Sequence, residues 1–111
     1  MYGSERRQYE RVPFRTELTI IDLGTQARYS GFSIDLSLGG MGFYTEHFFE
    51  KGTPVDIVAG DGRGGHEAVT RITATVQWAR VEGDGAIIGV QFSQRLSPDA
   101  HPELCERLYS M

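Results

Sequence analysis

The sequence predicts an all-β domain, a small antiparallel barrel with one α-helix at its C-terminal end. Short segments that alternate polar and apolar residues, rich in β-branched side chains, recur along the chain between turn-forming residues. Apolar side chains at helical spacing occur near the C terminus instead. Many short strands at regular intervals, followed by one helix, are typical of a barrel with that helix on its flank.

Length and composition limit the class of protein. The chain has 111 residues with a formal net charge of −4, which favours one globular domain over a general nucleic-acid binder, because such binders are usually basic. No apolar run approaches the roughly 18 residues of a membrane span, and the polar N terminus does not resemble a signal peptide. The single Cys105 cannot form an internal disulfide. We therefore expect a cytoplasmic location, no membrane insertion and no nucleic-acid polymer as partner.

The chain divides into a short arm and a domain. Residues 1–12 carry many charged side chains and few apolar ones, so we expect a flexible N-terminal arm. Pro13 interrupts the chain before the first strand, and residues 13–111 are expected to form the barrel domain. Six segments of this domain have the alternation expected of strands. They are residues 14–21, 27–34, 41–45, 55–58, 69–81 and 86–92.

The C-terminal helix is predicted to begin twice. Ser97 is a good N-cap and Pro98 suits the first helical position, but Pro102 cannot lie inside an uninterrupted helix. We expect one short turn and a fresh start near Pro102. Leu104 and Leu108, with Cys105, then form an apolar stripe that faces the barrel.

The arm gathers three arginines, Arg6, Arg7 and Arg11. An arginine stays charged at physiological pH, and its planar fork of donors matches two phosphate oxygens or the Hoogsteen edge of guanine. The arm is therefore a candidate for binding an anionic nucleotide. The alternative is a solvated charged tail.

A second candidate segment follows the second predicted strand. Asp35 and Ser37 stand at alternate positions, which on a strand would point them the same way. The carboxylate can accept hydrogen bonds from the N–H groups of a guanine. Gly39 and Gly40 permit a positive φ, so the backbone can turn sharply or approach a ligand closely. An ordinary hairpin turn is the alternative.

Taken together, the two segments resemble a known family. Arg7 and Arg11 match the motif Arg-x-x-x-Arg, and Asp35, Ser37 and Gly40 match Asp/Asn-x-Ser-x-x-Gly in the same order. These are the motifs of the PilZ domain, the bacterial receptor module for cyclic di-GMP, and the chain resembles that family over most of its length. Residues 88–92 are also similar to the family's penultimate strand.

The resemblance implies a six-stranded barrel whose open face the arginine arm covers. It implies a receptor rather than an enzyme, with cyclic di-GMP as ligand and no further cofactor. Arg7 and Arg11 would bind phosphates and guanine edges, Asp35 and Ser37 would hold one guanine, and Gly40 would keep the turn open. Arg6 is similar to an extra arginine found in members that take up two stacked ligands, so two molecules per domain are expected.

Trp78 has two interpretations. The indole could stack on a ligand base if its strand faces the site. Its parity with Ile72, Ala74 and Val76 along the longest predicted strand favours the core instead. The pair Phe48 and Phe49 is expected to contribute to the core, and a partner-facing patch is the alternative.

No metal site is expected, because the three histidines, His47, His66 and His101, lack metal-ligand spacing and are expected at the surface.

A rival to the receptor hypothesis is an adaptor barrel of the same family that binds no nucleotide. A less favoured rival is a small nucleic-acid-binding barrel. In the receptor hypothesis an unidentified protein partner receives the signal, and motility, attachment or exopolysaccharide production is the regulated process.

Overall fold

The computed structural model describes residues 11–59 and 70–109, which contain seven strands and one helix. The strands are β1 (Val12–Pro13), β2 (Glu17–Asp22), β3 (Arg28–Leu36), β4 (Gly40–Thr45), β5 (Pro54–Ala59), β6 (Thr70–Glu82) and β7 (Gly85–Phe92), and the helix α1 is Pro102–Tyr109. Strands β2 to β7 pair antiparallel in the order β3-β2-β5-β6-β7-β4, and β4 returns to β3. This closure confirms the predicted six-stranded barrel with a C-terminal helix.

Strand β1 was not predicted. Its two residues pair with the end of β3, Val12 opposite Leu36 and Pro13 opposite Asp35. Two residues are too few to show alternation, and the proline at the second position argued against a strand. The predicted arm, residues 1–12, therefore ends in a residue of the sheet, while residues 1–10 lie outside the described residues.

The chain between β1 and β2 is fastened to β3 by a buried serine. The hydroxyl of Ser33 donates to the carbonyl oxygen of Phe14 at 2.5 Å and accepts from the amide of Thr16 at 2.9 Å. The amide of Phe14 also donates to the carbonyl of Ile34 at 3.1 Å. These contacts hold β1, and with it residue 11, at the end of β3.

Inward-facing side chains from all six barrel strands fill one core. Its fully buried members include Ile20, Leu36, Phe43, Ile57, Ala74 and Ile88. Phe49 joins this core with 1% of its surface exposed, whereas its neighbour Phe48 is 48% exposed. The core prediction is therefore confirmed for Phe49 and wrong for Phe48, because neighbouring side chains of an extended segment point to opposite sides.

A β-bulge in β3 turns Asp35 outward. Ser33 pairs with Phe43 and Asp35 pairs with Gly42, so Ile34 is an extra residue without a partner on β4. Uninterrupted alternation would place Asp35 on the same inward face as Ser33, which is 1% exposed. The extra residue reverses the alternation beyond it, and Asp35 faces solvent instead.

A second β-bulge does the same for Trp78 on β6. Val76 pairs with Val90 and Trp78 pairs with Gly89, which leaves Gln77 as the extra residue. Val76 is buried, yet Trp78 is 45% exposed on the outer face of the barrel. The core interpretation of Trp78 is therefore wrong, because its parity with Val76 is broken at Gln77.

The C-terminal segment begins twice, as predicted. Ser97 Oγ accepts the amide of Ala100 at 3.1 Å and closes one turn, after which α1 starts at Pro102. Leu104 and Cys105 are buried against the barrel, and burial raises the pKa of the Cys105 thiol. The side chain of Leu108 lies outside the described part. This eight-residue helix is too short to reach across a bilayer, and the described residues contain no longer one.

The histidine prediction is wrong for His101. Its imidazole is only 8% exposed, and Nδ1 accepts the backbone amide of Ser97 at 3.3 Å. This contact joins the first turn to the start of α1. His47 is half-buried and stacks on Tyr29 with ring centroids 4.1 Å apart, while His66 lies outside the described residues.

Candidate ligand-binding site

One residue from each motif meets on the outer face of the barrel. Arg11 Nη1 donates to Asp35 Oδ1 at 2.8 Å, and 27% and 33% of the two side chains are exposed. Strand β1 causes this meeting, because Pro13 is the register partner of Asp35 and Arg11 immediately precedes β1. Such a pair is reachable from solvent, so a ligand can exchange hydrogen bonds with either member.

The carboxylate of Asp35 is fixed but not saturated. Oδ1 also accepts the backbone amide of Gly42 at 2.9 Å, so this oxygen has two donors. Oδ2 has no hydrogen bond to any other described residue. An ionised carboxylate offers about four acceptor positions. The site therefore presents an oriented acceptor that two neighbouring N–H groups of a ligand could occupy.

Ser37 lies in a turn rather than on the strand, because β3 ends at Leu36. Its hydroxyl accepts the amides of Gly39 at 3.2 Å and Gly40 at 3.1 Å and donates to the carbonyl of Gly40 at 3.3 Å. One donor and two acceptors are all that a hydroxyl has. Ser37 thus shapes the turn, and its predicted contact with a ligand requires one of these bonds to be exchanged.

Gly39 and Gly40 do not use the positive φ that glycine permits. The described glycines with positive φ are Gly52 and Gly83. Gly40 is instead required by a close approach, because a Cβ there would overlap the backbone carbonyl oxygen of Val90 on β7. Gly39 offers its carbonyl oxygen to the amide of Phe92 at 2.8 Å. The turn is therefore packed against the end of β7.

Trp78 lies in the same transverse row as Asp35. Register pairs run from Asp35 on β3 to Gly42 on β4, to Gly89 on β7 and to Trp78 on β6. The two outer members carry the carboxylate and the indole, and the two inner members have no side chain. Asp35 Oδ1 lies 3.0 Å from where a Cβ of Gly42 would be, and the indole of Trp78 lies over Gly89. The two glycines therefore let the carboxylate and the indole approach each other across β4 and β7.

The structure accordingly brings Arg11, Asp35 and Trp78 to one face and sets the turn with Ser37, Gly39 and Gly40 at its edge. Arg6 and Arg7 lie outside the described residues. Gly89 belongs to residues 88–92, which resemble a strand of the family, but neither Gly89 nor Gly42 was predicted to lie in this row, because that place depends on strand register and on both bulges.

Other features of the barrel carry none of the predicted site residues. A groove of about 530 Å³ lies between β3 and β4 at the end remote from Asp35, and Arg28, Phe32, Tyr44 and Glu46 are among its lining residues. Within residues 11–59 and 70–109, no group of three or more histidine, cysteine or acidic side chains is placed to hold a metal ion.

Comparison with known families identifies the family of the chain. The family model of the PilZ domain matches residues 5–109, which include both motifs and the row that joins Asp35 to Trp78. No curated protein matches the sequence significantly.

Solved structures share the fold at low sequence identity. The PilZ domain with c-di-GMP of YcgR from Escherichia coli superposes with a TM-score of 0.71 at 20% identity, covering 95% of this chain and 90% of that one. The Bacillus subtilis inhibitor of motility, MotI/DgrA, gives 0.70 at 16%, with 95% and 52% covered. The MrkH–c-di-GMP complex of K. pneumonia gives 0.67 at 16%, with 93% and 51% covered. The chain thus spans about half the length of the last two.

Proposed function

Because this chain belongs to the PilZ domain family, a family that binds cyclic di-GMP, we propose that it is a receptor domain for that second messenger. The contact between Arg11 and Asp35 carries the proposal, since it joins two motifs that lie 24 positions apart in the sequence. PilZ domains are receptors rather than enzymes, and we assign no catalytic step to these residues.

Asp35 is the proposed anchor for guanine. The Watson–Crick edge of guanine presents N1–H and N2–H donors side by side, and adenine lacks this pair. A carboxylate that is already held by the amide of Gly42 and by Arg11 keeps its orientation when a base arrives. The preorganised acceptor therefore favours guanine without a large ordering cost at Asp35.

The arginines are the proposed partners of the phosphates. Arg11 stands beside the carboxylate, so its remaining guanidinium N–H groups can reach an anion bound next to the guanine. We assign the same role to Arg6 and Arg7 on the motif match. Binding would then order the predicted arm over the barrel, and the changed surface would be the signal.

Trp78 is the proposed stacking surface. It is the single tryptophan of the chain, it is 45% exposed, and it stands in the row that begins at Asp35. Stacking of a base on an aromatic side chain typically contributes about 1–3 kcal/mol. With guanine anchored at one end of the row and stacked at the other, one or two ligand molecules fit the proposal.

In this proposal a protein partner, which the sequence and structure do not identify, receives the signal. Two similar structures are named for an inhibitor of motility and for the PilZ domain of CeSA from a cellulose-synthesizing bacterium. The first name supports motility and the second supports exopolysaccharide production as the regulated process, and attachment is proposed beside them on the family resemblance alone. A cytoplasmic location is part of the proposal, because the single cysteine, Cys105, is a free thiol.

Isothermal titration calorimetry with cyclic di-GMP tests the proposal. We expect saturable binding that Arg7→Ala and Arg11→Ala each weaken at least tenfold, with stoichiometry distinguishing one ligand from two. Arg28→Ala is the matched control, because Arg28 is exposed on the same strand as Asp35 but seven residues away. No heat of binding at tens of micromolar ligand would favour the adaptor barrel and overturn the receptor proposal.

A further inference from the structure

The bulge at Gln77 turns Trp78 outward, and the missing side chain of a glycine on the neighbouring strand lets the indole lie over that strand. Gly89 is the register partner of Trp78. A Cβ at position 89 would overlap indole atoms Nε1 and Cε2 and would lie 2.7 Å from Cζ2. The indole therefore occupies the space that any other residue at position 89 would fill with its own side chain.

We infer that Gly89 is a positioning residue for base stacking, because it lets the indole of Trp78 lie across β7 towards Asp35. This inference rests on the proposed function. Gly42 stands between Gly89 and Asp35 in the row, and its amide holds Asp35 Oδ1 at 2.9 Å. Neighbouring strands are about 4.8 Å apart, so an indole over β7 lies about one strand spacing from the carboxylate at β4. One purine can therefore bind the carboxylate with its edge and contact the indole with its face.

The barrel itself does not require glycine at position 89. Gly89 does not have a positive φ, so an alanine there is free of backbone strain. The atoms that an alanine would displace belong to a half-exposed side chain, which can swing into solvent. Gly40 differs, because the atom that blocks a Cβ there belongs to the backbone of Val90. A substitution at Gly89 can therefore displace the indole while the barrel stays folded.

Because Trp78 is the single tryptophan of the chain, its fluorescence reports directly on the surroundings of the indole. In Gly89→Ala without ligand, we expect the fluorescence emission of Trp78 to shift towards longer wavelength, because the displaced indole gains water. Gly24→Ala, in the turn after β2, is the control and should leave the emission unchanged. Circular dichroism and urea unfolding should show that both variants keep the barrel.

Calorimetry with cyclic di-GMP then tests the functional step. We expect Gly89→Ala to raise Kd roughly 5- to 100-fold, as Trp78→Ala does, because each removes the stacked indole. The double variant should bind no more weakly than Trp78→Ala alone, since both changes act through one side chain.

Two results would overturn the inference. One is wild-type emission and wild-type affinity in Gly89→Ala, and the other is additive losses in the double variant. Wild-type protein that binds no ligand would instead contradict the proposed function, and the emission shift of the ligand-free variant would still report whether Gly89 positions the indole.

Discussion

Two faces of the barrel carry an arginine–aspartate pair with the same 2.8 Å contact, and they differ in how the hydrogen bonds are shared between the two carboxylate oxygens and in how exposed the aspartate is. At the end of β3, Asp35 uses one oxygen for Arg11 and an amide, and a third of its side chain is exposed. Between β5 and β6, Asp56 uses both oxygens, one for Arg71 and one for Thr73 at 2.6 Å, and its side chain is 11% exposed.

The electrostatic consequences also differ. Burial raises the pKa of Asp56, but hydrogen bonds from Thr73 and Arg71 and the charge of Arg71 outweigh it, so the pKa is lowered overall from 3.8. Asp56 has a partner on each oxygen and is mostly buried, so neither oxygen is open to a ligand and its interactions stabilise the fold. The comparison therefore teaches that an ion pair distance alone does not separate binding from stability, whereas an exposed carboxylate oxygen without a partner does.

The largest expected effect is at the exposed pair of Arg11 and Asp35. Asp35→Ala should weaken cyclic di-GMP binding by about 100-fold, because two charge-assisted hydrogen bonds to guanine are lost. The free energy of unfolding should fall by less than about 1 kcal/mol, since a part-exposed pair contributes little to stability. Calorimetry and urea unfolding measure the two quantities. A variant that binds normally but unfolds far more easily would reverse the assignment of this face.

The opposite result is expected at the buried pair of Asp56 and Arg71. Asp56→Ala should lower the free energy of unfolding by about 2 kcal/mol, because hydrogen bonds to a charged group are lost inside the sheet. Affinity for cyclic di-GMP should stay within twofold of wild type at a temperature where the variant is folded. Loss of binding in this variant, with stability retained, would break the comparison.

The contribution of the Asp56–Arg71 pair to the free energy of unfolding should depend on pH. Because the folded pKa of Asp56 is lowered, its contribution to stability is complete above the unfolded value near 3.8 and is lost as pH falls through the folded value. The stability gap between wild type and Asp56→Asn should therefore be constant from pH 7 to about pH 5 and shrink below pH 4. Urea unfolding across this range measures the gap. A gap of equal size at pH 3 and pH 7 would contradict the lowered pKa.

The smallest effect is expected at a third ion pair. Arg80 and Glu82 approach to 3.8 Å near the tip of the β6–β7 hairpin, with more than half of each side chain exposed. Arg80→Ala should change the free energy of unfolding by no more than about 0.5 kcal/mol, because exposed pairs are screened by solvent. Thermal unfolding provides the measurement. A loss of stability as large as that of Asp56→Ala would show that the exposure of an ion pair does not predict its contribution to stability.

Much of the fold was predictable because it follows from local patterns. Alternation located the six barrel strands, and the N-cap at Ser97 together with Pro102 located both starts of the C-terminal segment. Arg11 and Asp35 were found because two short motifs occur in order, and the structure places their side chains in contact.

The rest was not predictable from periodicity. Ile34 and Gln77 are ordinary residues in the sequence, and each becomes a bulge only because the partner strand is one residue shorter at that point. Those two extra residues decide that Asp35 and Trp78 face outward. The positions of Gly42 and Gly89 beneath the proposed ligand follow from the same registers, so they emerge only when the strands are paired.

The most direct test of which face binds is a titration of ¹⁵N-labelled protein with cyclic di-GMP, followed by amide chemical shifts. The assignment predicts that the amide of Gly42 and the indole N–H of Trp78 shift strongly, while the amides of Asp56, Arg71 and Thr73 stay in place. Shifts concentrated on the β5–β6 face, with Gly42 and Trp78 unmoved at saturation, would contradict it.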